Sequence, residues 1–463
     1  MRPAFARRLA VSTLLIAVPC ASAASAAEQY WGQWRGPQAN GVAPHADPPT
    51  AWSETQNVRW KAPLPGGGHA TPIVWGDNVY VQVAIKTDKL ADSAAELPGP
   101  EAGKGDAQPA RQPRARGGRR GNRGNSQPTH LYDFAVLAID RKTGKTLWQK
   151  TVREELPHEA GHNDASQASN SPLTDGERLY AYFGSRGLYC MNLATGDVLW
   201  EKDFGDMHTR NNFGEGSSPV LAGDTLVVNW DHEGESFIVA LDKKTGTERW
   251  RQARDEVTSW NTPLVVDAPS GPQVVVTGTT RVRGYAVATG KVVWECAGLG
   301  VNCIPSPVVL DDLVFAMAGF RADNCMAIRY RSAAGDITGS PAIAWSRQEG
   351  IPYVPSPLLY DGTLYLLQKN KGVLSVVDAR TGQDRYERQR LEKISGVYAS
   401  PVAAAGRVYV LGRNGATYVL AHGPEFKVLA VNELDGDFDA SPAIADGELY
   451  LRSHDNLYCI AAN

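Results

Sequence analysis

Residues 158–162 read His-Glu-Ala-Gly-His, the spacing with which two histidines hold a zinc ion while the glutamate between them acts as base. That chemistry needs a helix, so that both imidazoles face one side. Pro157 precedes the motif and Gly161 interrupts it, within the polar stretch LPHEAGHNDASQASN (156–170). Zinc proteolysis is therefore set aside. Two further polar stretches carry reactive types: FGDMHTRNNFGEG (204–216) and NWDHEGES (229–236). Together the three offer His158, His162, Asp164, His208, Arg210, Asn211, Glu215, Asp231, His232 and Glu233. Imidazoles and carboxylates in such numbers suit a cation or a polar ligand. The metal candidates are His158, His162, His208, Asp231, His232 and Glu233. Arg210 and Asn211 are candidate ligand contacts, joined by Trp260 and Tyr353, which either stack on a ligand or pack in the inner ring. The bland alternative is a solvated rim with turn-capping Asn and Asp.

What positions these residues is a repeat. VLAIDRKTGKTLWQK (136–150) returns as YCMNLATGDVLWEK (189–202), IVALDKKTGTERWRQ (238–252) and YAVATGKVVWE (285–295). A second signature sets the count. Ser/Thr-Pro-apolar segments begin at 71, 171, 218, 262, 306, 356, 400 and 441, which makes eight. Between them lie short alternating runs such as RLYAYF (178–183), with Gly/Asp turns, so each unit holds four antiparallel strands. Four strands in 40 to 50 residues is a propeller blade. The expected fold is all-β, an eight-bladed β-propeller of four-stranded antiparallel blades spanning 57–463.

Within the repeated phrase, Asp140 can accept an amide hydrogen bond two residues on, and Gly144 can take positive φ and close a hairpin with a bulge. Trp148, Trp200, Trp250, Trp294 and Trp345 then project from outer strands as wedges between blades. Blade four carries Ala286 in place of Asp, blade six Tyr386 in place of Trp, and blade seven has lost the phrase. The last blade runs out of chain after its third strand. NVRWKAPLP (57–65), with Trp60, is expected to complete it and remove two free sheet edges. All Thr-Gly turns lie on one face. The inter-blade linkers lie on the other, at the funnel mouth, where the three polar stretches meet.

The remaining segments read as follows. Residues 1–27 have Arg2, Arg7 and Arg8, an apolar run Leu9–Val18 and small residues to Ala27, the pattern of a signal peptide. The run is too short to span a bilayer, and no other transmembrane segment follows. Export to the periplasm, the extracellular side or the cell envelope is expected, as a monomer. Taking the leader's three arginines from the 47 basic residues leaves 44 against 50 acidic ones, which argues against nucleic-acid binding. A lead segment, 28–56, contains WGQWRGP. An insert in blade one, 86–130, is poor in apolar residues and ends in Arg111, Arg114, Arg116, Arg119, Arg120 and Arg123. It is a solvated spacer or a contact for anionic polysaccharide. Cys296, Cys303 and Cys325 are close enough in sequence for one disulfide, and the spacing does not choose the pair.

The Asp-x-x-Thr-Gly-x-x-x-Trp phrase on eight blades resembles the propellers of pyrroloquinoline quinone (PQQ) dehydrogenases and the non-catalytic outer-membrane assembly lipoprotein built on that fold. WGQWRGPQANG (31–41), VPSPLLYDG and DASPAIADGELYLR resemble the exported PQQ-like propellers abundant in planctomycete bacteria. The resemblance implies a fold more firmly than an activity. Quinone enzymes hold calcium with a Glu and an Asn from successive linkers. Glu215 and Asn261 fall at those places, but the next linker, VNCIPSP (301–307), has no Asp to serve as base, and no two cysteines are adjacent. The expectation is a non-catalytic binding or scaffolding propeller of the envelope, with no cofactor, taking an envelope protein or a polar small ligand on the funnel face. The alternatives are a PQQ- and calcium-dependent alcohol or sugar dehydrogenase, and an anionic-glycan binder that uses the insert.

Overall fold

The structure, a computed structural model, describes residues 28–91, 127–321 and 323–462. The leader expected over 1–27 and the arginine cluster of the insert lie outside the described residues. Eight four-stranded antiparallel blades form the ring, so the fold expectation holds. Inner strands are Ile73–Trp75, Leu173–Thr174, Val220–Ala222, Leu264–Ala268, Val308–Leu310, Leu358–Tyr360, Val402–Ala404 and Ala443–Ala445. Each begins just after a Ser/Thr-Pro pair. Blade eight is completed by Val58–Pro63, which pairs antiparallel with Asn456–Ala461 and sets Trp60 opposite Cys459. Blade one differs from the sequence reading: its second strand runs Asn78–Leu90, into what was read as insert, because residues 82–86 keep pairing with 132–136.

The repeated phrase is a latch between blades. Asp140, Asn192, Asp242 and Asp378 each accept the amide of the Thr three residues on. The following glycines hold φ between +70° and +73°. The Trp of one blade donates its indole N–H to the turn of the next: Trp60 to Arg141 O, Trp148 to Ala194 O, Trp200 to Lys243 O, Trp250 to Val287 O and Trp345 to Ala379 O. The ring lies on that turn's glycine so closely that a Cβ on Gly290 would sit 2.5 Å from Trp250. Glycine is thus needed twice, for its φ and for its bareness. Small residues stand opposite each Trp on the third strand, including Ala138, Cys190, Ala240 and Ala327. Trp294 departs from the pattern. Blade five has no Thr-Gly turn to receive it, so Trp294 is buried over Gly284, bonds Gln273 Oε1, and is covered by a fifth strand, Gly335–Asp336.

A second device runs around the axis. The amide of each Ser/Thr in the Ser/Thr-Pro pair donates to the hydroxyl of its counterpart one blade on. The bonds run Thr71 to Ser171, Ser218, Thr262, Ser306, Ser356, Ser400 and Ser441, at 2.8–3.0 Å. Proline follows because its position offers no N–H to lose. The girdle joins seven of eight junctions. At the eighth, between blades eight and one, the hydroxyl of Thr71 is buried without a partner.

The lead segment crosses the channel floor. Trp31 bridges Val74 of blade one, and Gly32 O accepts Thr174 N of blade two. Arg35, fully buried, donates to Pro401 O and Pro357 O at 2.7 and 2.6 Å. Val42 pairs with Ala403 of blade seven. Burial with no carboxylate beside it pulls the Arg35 guanidinium down to about 9.

The five described cysteines are buried, and none is paired, so the disulfide allowed by sequence is not formed. Cys296 and Cys303 pack between blades four and five, whereas Cys325 points into the next interface, against Leu359 and Val377. Burial pushes Cys296 and Cys325 up to about 12, which makes them inert core residues.

Candidate functional site

On the linker face the ring encloses a cavity of about 480 Å³. Its floor is Trp34 of the lead segment, whose indole N–H donates to Ser306 Oγ at 3.2 Å. Above it stand seven girdle hydroxyls, Ser171 through Ser441. Each oxygen already accepts an amide, so each hydroxyl proton is free to donate inward. The walls are aromatic: Phe213, Trp260, Phe320, Tyr353 and Tyr398. Trp260 is fixed by its N–H to Gly214 O at 2.7 Å, and Phe320 stacks on Tyr353 with centroids 4.9 Å apart. Bare aromatic faces over a ring of hydroxyl donors can hold a flat or polyhydroxylated molecule.

Of the residues singled out from sequence, His162, Asp164, Glu215, Trp260 and Tyr353 line this cavity. Asp164 reaches across the mouth to blade seven, accepting from Tyr398 Oη at 2.9 Å and Arg413 Nη2 at 3.0 Å. The metal candidates are dispersed. Asp231 is saturated by Arg254 Nε and Nη2 (2.6 and 3.0 Å), Ser259 and Asn229. His232 spends Nδ1 on His208 N and sets Nε2 against Glu235 O. Glu233 accepts from Thr258, and His158 Nε2 lies 2.6 Å from Met207 O. His208 and Asn211 are exposed, and Arg210 starts a short 3-10 turn over residues 210–212, outside the cavity lining. No helix forms at 158–162, in keeping with the sequence reading.

Glu215 is chemically unusual. It is mostly buried against Ser185, which donates both N–H (2.8 Å) and Oγ–H (2.5 Å) to it. Room for the carboxylate comes from Gly184, where a Cβ would overlap Oε2 at 1.3 Å. Burial, with Glu159 close by, raises the carboxyl to about 7. The neutral form is favoured in the fold. Its contribution to stability is therefore full below about 4.5 and is lost as pH rises through about 7. Glu215→Gln keeps an acceptor for Ser185 N and cannot ionise. At pH 8 it is expected to exceed the wild type by about 2–3 kcal/mol in urea unfolding, the difference opening between pH 4.5 and 7. Parallel profiles for the two proteins would refute this.

The residues do not fit a quinone-calcium centre. Asn261 is fully buried and turned into its own blade, with Oδ1 accepting Thr277 N at 3.3 Å and Nδ2 donating to Thr277 O at 2.7 Å. It does not share the cavity wall with Glu215. At the place of the missing base stands Asn302, whose Nδ2 donates to Tyr353 Oη at 3.1 Å.

A cluster that the sequence did not disclose lies at the seam between blades one and eight. His454 Nε2 is 3.0 Å from Asp439 Oδ2, and His69 Nε2 is 3.9 Å from the same oxygen. The imidazoles stack with centroids 5.0 Å apart. Arg413 grips Asp439 through Nε (2.6 Å) and Nη2 (3.2 Å) and lies over Tyr398. Residue types alone gave no signal, because 370 positions separate His69 from Asp439.

Known proteins agree with this architecture. The PQQ_2 family model, described as outer membrane protein assembly factor BamB, matches residues 47–235, 132–297 and 234–463. BamB of Yersinia pestis is 22% identical over 335 residues, covering 61% of this chain and 79% of that protein. A polyvinylalcohol dehydrogenase of Pseudomonas sp is 25% identical over 296 residues, covering 59% of this chain and 43% of that protein. Among solved structures, BamB from Moraxella catarrhalis superposes with a TM-score of 0.51 at 16% identity, covering 70% of this chain and 91% of its own. Quinohemoprotein alcohol dehydrogenase ADHIIG from Pseudomonas putida HK5 gives 0.54 at 11%, covering 94% and 81%. At such identities the structural likeness carries the fold alone. With eight blades, the latch phrase and family matches from residue 47 to 463, the chain belongs to the PQQ-repeat propeller family described by BamB.

Proposed function

We propose that the protein is an exported, non-catalytic binding module of the cell envelope, which presents the funnel cavity to an envelope protein segment or a polar small ligand. The observation that carries this reading is the cavity itself: aromatic walls and inward hydroxyls over a floor sealed by Trp34, with no convergent calcium ligands. Such a surface offers stacking and hydrogen bonds to a ligand. The similarity to outer membrane assembly factors and the leader-like N-terminus support an envelope setting. Among the described residues no helix is long and apolar enough to cross a membrane.

Affinity capture from the native envelope fraction tests the reading. The intact protein is expected to retain a partner or ligand that a Trp260→Ala/Tyr353→Ala variant releases, with affinity reduced about tenfold or more, since aromatic anchors at such sites each contribute over about 1 kcal/mol. Equal retention by the variant sinks the assignment of the cavity. Stoichiometric PQQ absorbance with calcium, followed by dye-linked alcohol turnover, would overturn the non-catalytic reading.

A further inference from the structure

We propose that the seam between blades one and eight binds a divalent transition-metal ion on His69, Asp439 and His454. The three donors come from separate connections: His69 from the segment entering blade one, Asp439 from that entering blade eight, His454 from the second-to-third turn of blade eight. Their ligand atoms lie within 4.8 Å of one another. A tetrahedral ion with bonds near 2 Å holds its ligands about 3.3 Å apart. The His454–Asp439 pair is already at 3.0 Å, and the His69–Asp439 pair at 3.9 Å needs only a small ring rotation.

His69 is the informative member. Among the described residues its ring nitrogens have no hydrogen bond, yet the ring is mostly buried, stacked on His454, with Nε2 aimed at the Asp439 oxygen. His69 lines the cavity, so its unbonded nitrogens are within reach of an ion entering there. Two imidazoles and one carboxylate suit zinc, cobalt, nickel or copper, and not calcium or magnesium, which take all-oxygen sets. Arg413 occupies both Asp439 oxygens from behind, the arrangement that orients a metal-ligating carboxylate. Its charge is shared with Asp164, whereas buried Arg452, bonded to Ala70 O, has no carboxylate partner. These cations oppose the ion, so binding is expected to be weaker than at a structural zinc site.

An ion here would bridge the connections into blade one and blade eight at the junction where the hydroxyl girdle is open at Thr71. Because it binds the closed ring and not the unfolded chain, it would raise the unfolding midpoint. His69 and Asp439 also line the cavity, so a fourth coordination position can face it. The site adjoins the cavity, and its metal binding is measured with no cavity ligand present.

Full-length protein, freed of any histidine tag and stripped with chelator, is titrated calorimetrically with Zn²⁺, and separately with Co²⁺ while its d–d absorption is followed. One ion per chain is expected, with a tetrahedral-type cobalt spectrum and a raised thermal midpoint. His69→Ala removes no hydrogen bond of its ring, so it should fold as the wild type does. It is expected to lose at least tenfold in affinity and the thermal gain. His454→Ala is expected to do the same, whereas His208→Ala, exposed and outside the cavity lining, is expected to change neither. Absence of binding, unchanged affinity in His69→Ala, or equal response to Ca²⁺ each overturns the site. Equal partner retention by the Trp260→Ala/Tyr353→Ala variant, with metal binding intact, would overturn the cavity reading alone.

Discussion

An Asp231→Ala variant is expected to lose about 3–5 kcal/mol of stability, read as a lowered denaturant midpoint at unchanged slope. Both Asp231 and Arg254 have fully buried side chains, joined by two bonds of 2.6 and 3.0 Å. Tyr285 Oη meets Arg254 Nη1 at 2.6 Å, and Ser259 and Asn229 complete the carboxylate. Removing the acid strands a guanidinium that cannot shed its proton and has no water to turn to. The size of the effect comes from that stranded charge and not from the net worth of the pair. An Asp231→Leu/Arg254→Met double variant, which removes both charges and keeps most of the volume, is therefore expected to recover most of the loss. If the single variant stays within about 1 kcal/mol of the wild type, the buried pair is not where the structure puts it.

Trp31→Ala is the second large effect, also about 3–5 kcal/mol, the usual cost of emptying a fully buried indole site. Trp31 has no exposed surface and belongs to one buried core with Val74, Val402 and Ala445, of blades one, seven and eight. Its ring also lies on Gly36, where a Cβ would come within 2.7 Å. Losing it should free the segment that carries Trp34 and Arg35, so the cavity floor is expected to open along with the fall in stability. Limited proteolysis between residues 28 and 56 under native conditions measures the first, and urea unfolding the second. A variant as stable and as resistant to cleavage as the wild type would show that the segment is an ornament on a self-sufficient ring.

The latch was legible because its parts lie within nine residues of one another. Asp140, Thr143, Gly144 and Trp148 state a turn and a wedge with local chemistry alone. The Ser/Thr-Pro pairs counted the blades, but the sequence explained only the proline. The hydroxyl's task depends on an amide 41 to 100 residues away, which no local rule reaches. Asp231 and His232 read as ligands because type and loop position were all the sequence offered. Their partners, Arg254 and the His208 amide, come from other loops and saturate them. Asp439 carried no local signal at all and became interesting only when ring closure set His69 beside it. Trp294 shows the reverse case: its own Thr-Gly-x-x-x-Trp spacing was kept, and the missing Thr-Gly turn in blade five changed its fate.

The pairing of Val58–Pro63 with Asn456–Ala461 has a consequence for how the ring comes into being. A ribosome makes the first of these strands about four hundred residues before the second, so the earlier one waits with its amides and carbonyls unmatched. A waiting strand is a template for any other strand it meets. The blades between can form in sequence from their own hairpins, but the ring cannot lock until its final strand arrives. The slowest step of folding should therefore be closure, and a chain stalled before it should be the form most prone to aggregate.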